Sequence, residues 1–549
     1  MKIAVLALCI LGCYSSGLAA IPEGYCPPIS RSTALSAEDD LLRTNIAKEE
    51  ALVDPSNARL VDAFYRPCGY AAAWVFRGSL TPAAVAMLDV LKKVPEEGLN
   101  LEDYVISQAP VPTTATNSVD RVSELAIMEI KLTIAALRLA TDLYCGRIDP
   151  HSVHADLVPH CQDFSPTEFL WHVSQAVSPA REYESLEPIA PGYQRTKQAL
   201  RNYLVLAQMS PINLPRFTEL VHVGDEYEGA ESLRSLLLRY GDLPPSQQQV
   251  ALNVYDESLV RGVKSFQLRH GLDPNGTLNR ETYNQLTIPV SYRVAQLAMT
   301  LERWRWVSRT FAEPPVVVNI PEFKLRAYDA TLHVALAMKV IVGGAYHRRT
   351  PVFENQISSV IFRPYWNIPP SIQRHEIEPA MRRDPHYLQK HGYEVVREKG
   401  RKSRIRQLPG DRNALGLVKF SLPNTYNVYL HGTPVQSLFD RTRRDFSHGC
   451  IRVAEPTALA QWVLRRNTGW TKEKIVETMY GSRTMSAEVA RPIPILIVYA
   501  TGFAAEDDTV YFLADIYEQD LALAVKLRSL TISRRIEDDK VTSVLFSKH

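Results

Sequence analysis

Neither sign of charge is in excess in this chain: 62 Lys and Arg stand against 60 Asp and Glu, a net charge of +2 over 549 residues. A phosphate-binding surface needs a basic surplus, and its lack argues against nucleic acid as a partner. Beyond the first twenty residues no apolar run approaches membrane-spanning length, which removes a polytopic membrane protein. Internal repeats at solenoid periods and low-complexity tracts are missing too, so the chain is neither an array nor a fibre. None of the lysines has a serine three residues before it, which excludes the Ser-x-x-Lys arrangement of serine acyl-enzymes. His375 in "RHEIEP" lacks the second histidine of a zincin-like motif and reads as a surface helix start.

Cysteine is scarce, seven in all. Two of them, Cys9 and Cys13, fall in "MKIAVLALCILGCYSSGLAA", where one lysine, an apolar run and small residues have the layout of a secretory signal cleaved after Ala19 or Ala20. The same segment also reads as an uncleaved anchor, or as a lipoprotein site at Cys13. Export drives exposed thiols into disulfides. Cys26, Cys68, Cys145 and Cys161 can form two bridges in any of three pairings, and Cys26–Cys68 with Cys145–Cys161 has the shortest loops. Cys450, far along the chain, is the odd thiol, and a cysteine left free in an oxidising compartment reads as a nucleophile.

What is present divides the chain into several domains of a multidomain α+β protein. Residues 1–20 are the signal or anchor. Residues 21–229 form a mainly helical scaffold, with apolar residues recurring at three and four in "TPAAVAMLDVLKKV" and "ELAIMEIKLTIAALRLATDLY". Residues 230–290 predict a small three-helix module. Asp256 caps a helix with Leu259, Val263 and Phe266 on one side, Gly271 ends it, and "DPNG" turns into a last helix ending at Leu286. From 314 to 500 the period switches to two in short β-branched runs such as "PPVVVNIPEFKLRAY", "ISSVIFRPYWNIPP", "GLVKFSLP" and "YNVYLHG", a mostly-β domain. An insertion at about 370–413, helical and basic, suits a lid over a groove. Residues 501–549 form a C-terminal extension whose "SVLF" looks like a strand.

The chemistry concentrates in "DFSHGCIRVAEP". In an extended segment His448, Cys450 and Arg452 share one face and Gly449 and Ile451 the other, with Ile451 in the core and Gly449 allowing close backbone approach. The amides near Gly449 and Cys450 are natural oxyanion donors. A thiol of reference pKa about 8.5 needs a base or a positive field. His431, at the end of "YNVYLHG" with Tyr429 on its face, supplies the base if neighbouring strands bring it to Cys450.

The ordered set "TPVF", "PYWNIP", "NALGLVKF", "NVYLHGTP" and "SHGCIR" resembles the L,D-transpeptidase catalytic domain of bacterial cell-wall enzymes, in the large periplasmic subfamily with a helical scaffold, a peptidoglycan-binding module and a capping lid. The helix end around Phe266 and Gly271 resembles that module, with Asn275 and Asn279 where the family tends to have Asp and Gly. The resemblance implies Cys450 as acylated nucleophile, His431 as general base, His448 and Arg452 as donor-peptide contacts, and Gly449 in the oxyanion region. It implies Tyr429, Trp366 and Ser447 as substrate-site residues. No metal and no cofactor are implied. The partners implied are peptidoglycan stem peptides, a tetrapeptide donor and a diamino acid acceptor, alongside other cell-wall synthesis enzymes, in a periplasmic role in wall biogenesis and cell shape. The reaction implied is a 3→3 cross-link formed through a cysteine thioester with release of D-Ala, open to carbapenem acylation. Water as acceptor gives an L,D-carboxypeptidase, a protein lysine gives wall-protein attachment, and loss of catalysis leaves a wall-binding scaffold.

Overall fold

The helical period of "ELAIMEIKLTIAALRLATDLY" becomes one long helix, α1 (Ser118–Cys145). It buries Val122, Leu125, Ala126, Ile130 and Leu137 in a core shared with the helices Ala37–Glu50, Pro55–Tyr65 and Pro166–Gln175. Residues 37–50, 55–104, 118–158, 160–245, 253–397 and 403–546 are described by the computed structural model; the N-terminal segment with its three readings, Cys26, and residues 398–402 of the basic run lie outside them. A carboxylate sits in the middle of the scaffold core. Glu129 accepts from the backbone N–H of Ala73 (2.5 Å) and Trp74 (3.0 Å) and from the Tyr65 hydroxyl (3.0 Å), and burial pushes its carboxyl up to about 7. Cys145 is joined to Cys161, one of the two short-loop pairs, and Cys68 is also disulfide-bonded.

Helix α2 (Pro191–Ala207) leads out of the scaffold into the module, whose centre is α3 (Glu257–Arg269). Asp256 caps α3 by accepting from Leu259 N at 2.9 Å, Leu259, Val263 and Phe266 are buried, and Gly271 has φ +67°. The two asparagines have structural jobs. Asn279 caps the helix Arg280–Leu286 through Thr282 N (2.8 Å), and Asn275 accepts from Thr277 N (2.9 Å) and Gln267 Nε2 (3.2 Å). Arg269 pairs with Asp242 inside the module and reaches the Tyr203 hydroxyl on α2 and the Val510 carbonyl, which fastens the module to its neighbours. Helix α4 (Val290–Arg305) then packs along α2 and enters the β region.

The main sheet of the β region has nine strands. Its strands are β1 (Ala155–Asp156), β2 (Val316–Asn319), β3 (Lys324–Tyr328), β4 (Val334–Ile341), β5 (Val352–Phe362), β6 (Val418–Ser421), β7 (Leu430–His431), β8 (Ile451–Val453) and β9 (Met485–Val498). The order is β6-β7-β8-β4-β3-β2-β9-β5-β1, and β6 also pairs with β5, so the sheet closes on itself. The scaffold lends β1, which lies parallel to β5. Alternation does the sorting: Val418, Phe420, Leu430, Ile451 and Val453 are all fully buried in the core, and the residues between them face the other way.

The insertion is more than helix. Trp366–Asn367, Tyr393–Val396 and Arg404–Gln407 make a three-stranded sheet, and Ile368, Ile372, Ile377 and Ile405 form a small core of its own. His375, expected at the start of a surface helix, is exposed early in the helical run 370–383, in its π-helical stretch Gln373–Ile377, and lines the groove below.

The C-terminal extension corrects the sequence reading. "SVLF" is the end of a 28-residue helix, α5 (Gln519–Phe546), not a strand. Leu, Ala, Lys and Arg dominate its first half, and a helix nucleated there carries the short "SVLF" end along with it. Asp515 starts α5 by accepting from the backbone N–H of Gln519 (2.9 Å), Asp520 (3.0 Å) and Leu521 (3.2 Å). Arg534 fastens it to the scaffold through both carboxylate oxygens of Asp142 (2.7 and 2.8 Å).

Candidate active site

Strands β7 and β8 run parallel with Leu430 opposite Ile451 and His431 opposite Arg452, and Ile451 N donates to the Tyr429 carbonyl at 3.1 Å. Since Leu430 and Ile451 point into the core, Tyr429, His431, Cys450 and Arg452 share the opposite face, and His431 is the diagonal neighbour of Cys450. The expected pairing of thiol and imidazole thus rests on two adjacent strands. The face forms the floor of a groove of about 1090 Å³, with Trp366 and the insertion as one wall.

Cys450 is the free cysteine of the described residues. Burial pushes its thiol up, while the Tyr429 N–H and hydroxyl, Lys419 and Arg452 pull it back down. Its sulfur lies 3.6 Å from the Asn427 carbonyl. His431 is 5% exposed, and burial, with Arg452 beside it, pushes its imidazolium down to about 3 against the pull of the Gly432 and Leu415 carbonyls. The ring is therefore neutral. Its Nδ1 lies 2.6 Å from the Gly432 carbonyl, which accepts only from an N–H, so Nε2 keeps its lone pair. Burial together with the nearby thiol pushes the Tyr429 phenol well above its ordinary value.

The segment before β8 is not extended. Residues 447–449 turn sharply with Gly449 at φ +115°, so the alternation expected to put His448 beside Cys450 does not extend back past Cys450. A Cβ at Gly449 would meet nothing closer than 3.6 Å, so backbone conformation and not crowding demands the glycine. Ser447, expected at the substrate site, braces this turn from within. It is 3% exposed, its hydroxyl donates to the Cys450 carbonyl (2.6 Å), and it accepts from Gly449 N (3.1 Å). The Gly449 amide, expected as an oxyanion donor, already has its acceptor. His448 is turned to the lid, where Nε2 lies 2.6 Å from Glu376, a carboxylate also 3.7 Å from Arg348.

Several residues of the site escaped the sequence reading. Thr350 donates to the Gly449 carbonyl (2.8 Å) and accepts from Gly343 N (2.9 Å), and Tyr517, just before α5, donates to the Gly343 carbonyl and accepts from Thr350 N (3.2 Å). The turn bearing Cys450 is thus held from below by a residue from the C-terminal segment. Lys419 on β6 stands opposite His431 and over the Tyr429 ring, 3.9 Å from its centroid. The signal for Lys419 was there, a polar residue between two apolar ones in "LVKFS"; its destination depends on cross-strand register.

Comparison with known proteins meets this geometry from outside. An L,D-transpeptidase catalytic domain model matches residues 314–482, a scaffold domain matches 59–200, and a "Putative peptidoglycan binding domain" matches 227–286. A Haemophilus influenzae protein named "Putative L,D-transpeptidase" is 33% identical over 265 residues, which are 44% of this chain and 53% of that protein. The alignment spans about half of the relative's length. A solved structure, "Structure of the Ldtfm-avibactam carbamoyl enzyme", is 10% identical and covers 55% of this chain and 98% of that one, with a TM-score of 0.17 that is too low to carry an argument. The chain thus carries an L,D-transpeptidase catalytic domain at residues 314–482, preceded by matched scaffold and peptidoglycan-binding domains.

Proposed function

We propose that the protein is a peptidoglycan L,D-transpeptidase that forms 3→3 cross-links through a thioester on Cys450. The observation that carries this reading is a free thiol on the floor of a cation-lined groove, diagonal to a buried, neutral imidazole whose tautomer is fixed. His431 takes the thiol proton, and the sulfur attacks the carbonyl of the third stem residue of a tetrapeptide donor. The C–N bond to D-Ala breaks as the amine leaves with a proton. The side-chain amine of a diamino acid on a second stem then attacks the thioester, and the thiol is restored. Oxyanion stabilisation at the Gly449 amide requires the Ser447 hydroxyl to release that N–H. Arg452 suits the donor's carboxylates, because guanidinium pairs with them bidentately. The Cys145–Cys161 disulfide and the N-terminal segment support action outside the cytoplasm, in the periplasm.

Intact-protein mass spectrometry with disaccharide-tetrapeptide tests the reading, with Cys450→Ala alongside. A D-Ala-deficient adduct on the wild type alone, followed by 3→3 dimers, is the expected result. Tripeptide without dimers would assign water as acceptor and make the enzyme an L,D-carboxypeptidase. Absence of adduct and turnover in a folded protein would leave a wall-binding scaffold. Carbapenem acylation of the same thiol, absent from Cys450→Ala, is the companion expectation.

A further inference from the structure

Three strands present one row of nitrogenous side chains to the groove floor: Lys419 on β6 opposite His431 on β7, which is opposite Arg452 on β8. The row lies beside Cys450, on the face away from the core. Lys419 is half-buried, and its ammonium stands 3.9 Å from the centroid of the Tyr429 ring. Among the described residues it has no carboxylate partner. Glu376 is the acid that lines this groove, and it is already engaged by His448 and Arg348. The Arg452 Nε is buried without a hydrogen-bond partner among the described residues. Placing unpaired cations in a partly desolvated groove is unfavourable unless an anion arrives there. Before substrate binds, the group of this floor able to become one is the thiol.

We infer that Lys419 is a charge-stabilising residue of the catalytic centre, an ammonium held by cross-strand register and by the Tyr429 ring so that it faces the Cys450 thiolate. Arg452 on β8, two residues beyond Cys450, flanks the thiolate and also meets the donor. Other charged or titratable groups around the thiol are accounted for. From β7 come Tyr429 and neutral His431, and from the turn comes His448, paired with Glu376. Arg404 and His375 of the insertion and Arg348 line the groove beyond them. Burial pulls the Lys419 ammonium down while the Cys450 thiolate pulls it back up, and the two groups act on each other in the sense the geometry requires. Ionisation moves the proton from sulfur to solvent or to His431, and Lys419 keeps its own three.

The inference gives the proposed thioester chemistry its nucleophile, but its test reads the thiol alone. The rate of Cys450 alkylation by iodoacetamide is followed from pH 5 to 10 in the full chain, with thermal melting as the check on folding. Lys419→Met, which keeps the stem and removes the charge, should raise the apparent thiol pKa by about one unit and slow alkylation at pH 7 roughly tenfold. Lys419→Arg should stay close to wild type, which a merely structural role for the stem would not require. A folded Lys419→Met with the wild-type pH profile would overturn the inference. If the shift appears but no stem-peptide adduct ever forms on the wild type, the thiolate role stands and the transpeptidase reading falls.

Discussion

Where the scaffold meets α4 and α5, buried charges come in pairs. Glu302, fully buried, accepts from the backbone N–H of Arg147 (2.5 Å) and Ile148 (3.1 Å) and lies 3.3 Å from Arg305. Lys197 sits 2.6 Å from both Glu97 and Glu187, and Arg534 is bidentate on Asp142. On the groove floor Lys419 and Arg452 face no carboxylate among the described residues. Both regions take charge out of water, and only the first compensates it within the fold. Structural charges are closed off by their partners, while the proposed chemistry would bring the groove's cations an anion, at Cys450 or on a substrate.

The comparison can be broken at either end. The largest effect belongs to Cys450→Ala, which should lower acylation by about 10⁴-fold or more, read by mass spectrometry, while leaving melting unchanged. On the scaffold side, removing one partner of a buried pair strands the other. Arg534→Met should cost about 3–5 kcal/mol in urea unfolding, and Arg534→Met with Asp142→Leu should recover much of it. Tyr104, whose hydroxyl donates to Asp142, makes that recovery incomplete.

Glu129 sharpens the contrast, because it is a buried acid held by neutral donors. Its folded carboxyl is raised to about 7 from the ordinary 4.5. The protonated form is favoured in the folded state, so its contribution is fully present below pH 4.5 and is lost as pH rises through 7. The loss amounts to roughly 3 kcal/mol by linkage. The difference in unfolding free energy between wild type and Glu129→Gln, measured from pH 4 to 9, should fall over that window. A flat difference would mean that the carboxylate stays ionised throughout.

Two smaller effects probe the nucleophile's supports. Tyr517→Phe keeps the ring and removes the hydroxyl that ties residues 343–350 to the C-terminal segment. It should cost about 1–2 kcal/mol and slow Cys450 acylation without moving the thiol's pH profile. Glu376→Gln weakens the contact of the insertion with His448. Both side chains are partly exposed, so the expected loss is under about 1 kcal/mol, seen as faster hydrogen exchange in residues 370–383.

Much of the site could be read from single segments. Alternation within "YNVYLHG" puts Tyr429 and His431 on one face, and alternation from Cys450 onward does the same for Arg452, because side-chain direction in a strand depends only on position along it. The turn at 447–449 could not be read this way, since the positive φ of Gly449 and the inward role of Ser447 depend on hydrogen bonds with Thr350 and within the turn. "SVLF" misled because Val544 and Phe546, one β-branched and one aromatic, weigh more in a four-residue window than the helix that precedes them.

The sequence by itself determined the candidate nucleophile and base, the capped helices of the module and the helical-then-β order of the chain, all of which follow from local spacing and residue chemistry. The tertiary structure alone decided that Lys419 stands opposite His431, that Glu376 reaches His448, and that Tyr517 supports the turn bearing Cys450. Those contacts join segments between 12 and more than 160 residues apart. Strand register and domain docking set them, through the collective burial of a core that no single stretch of sequence contains.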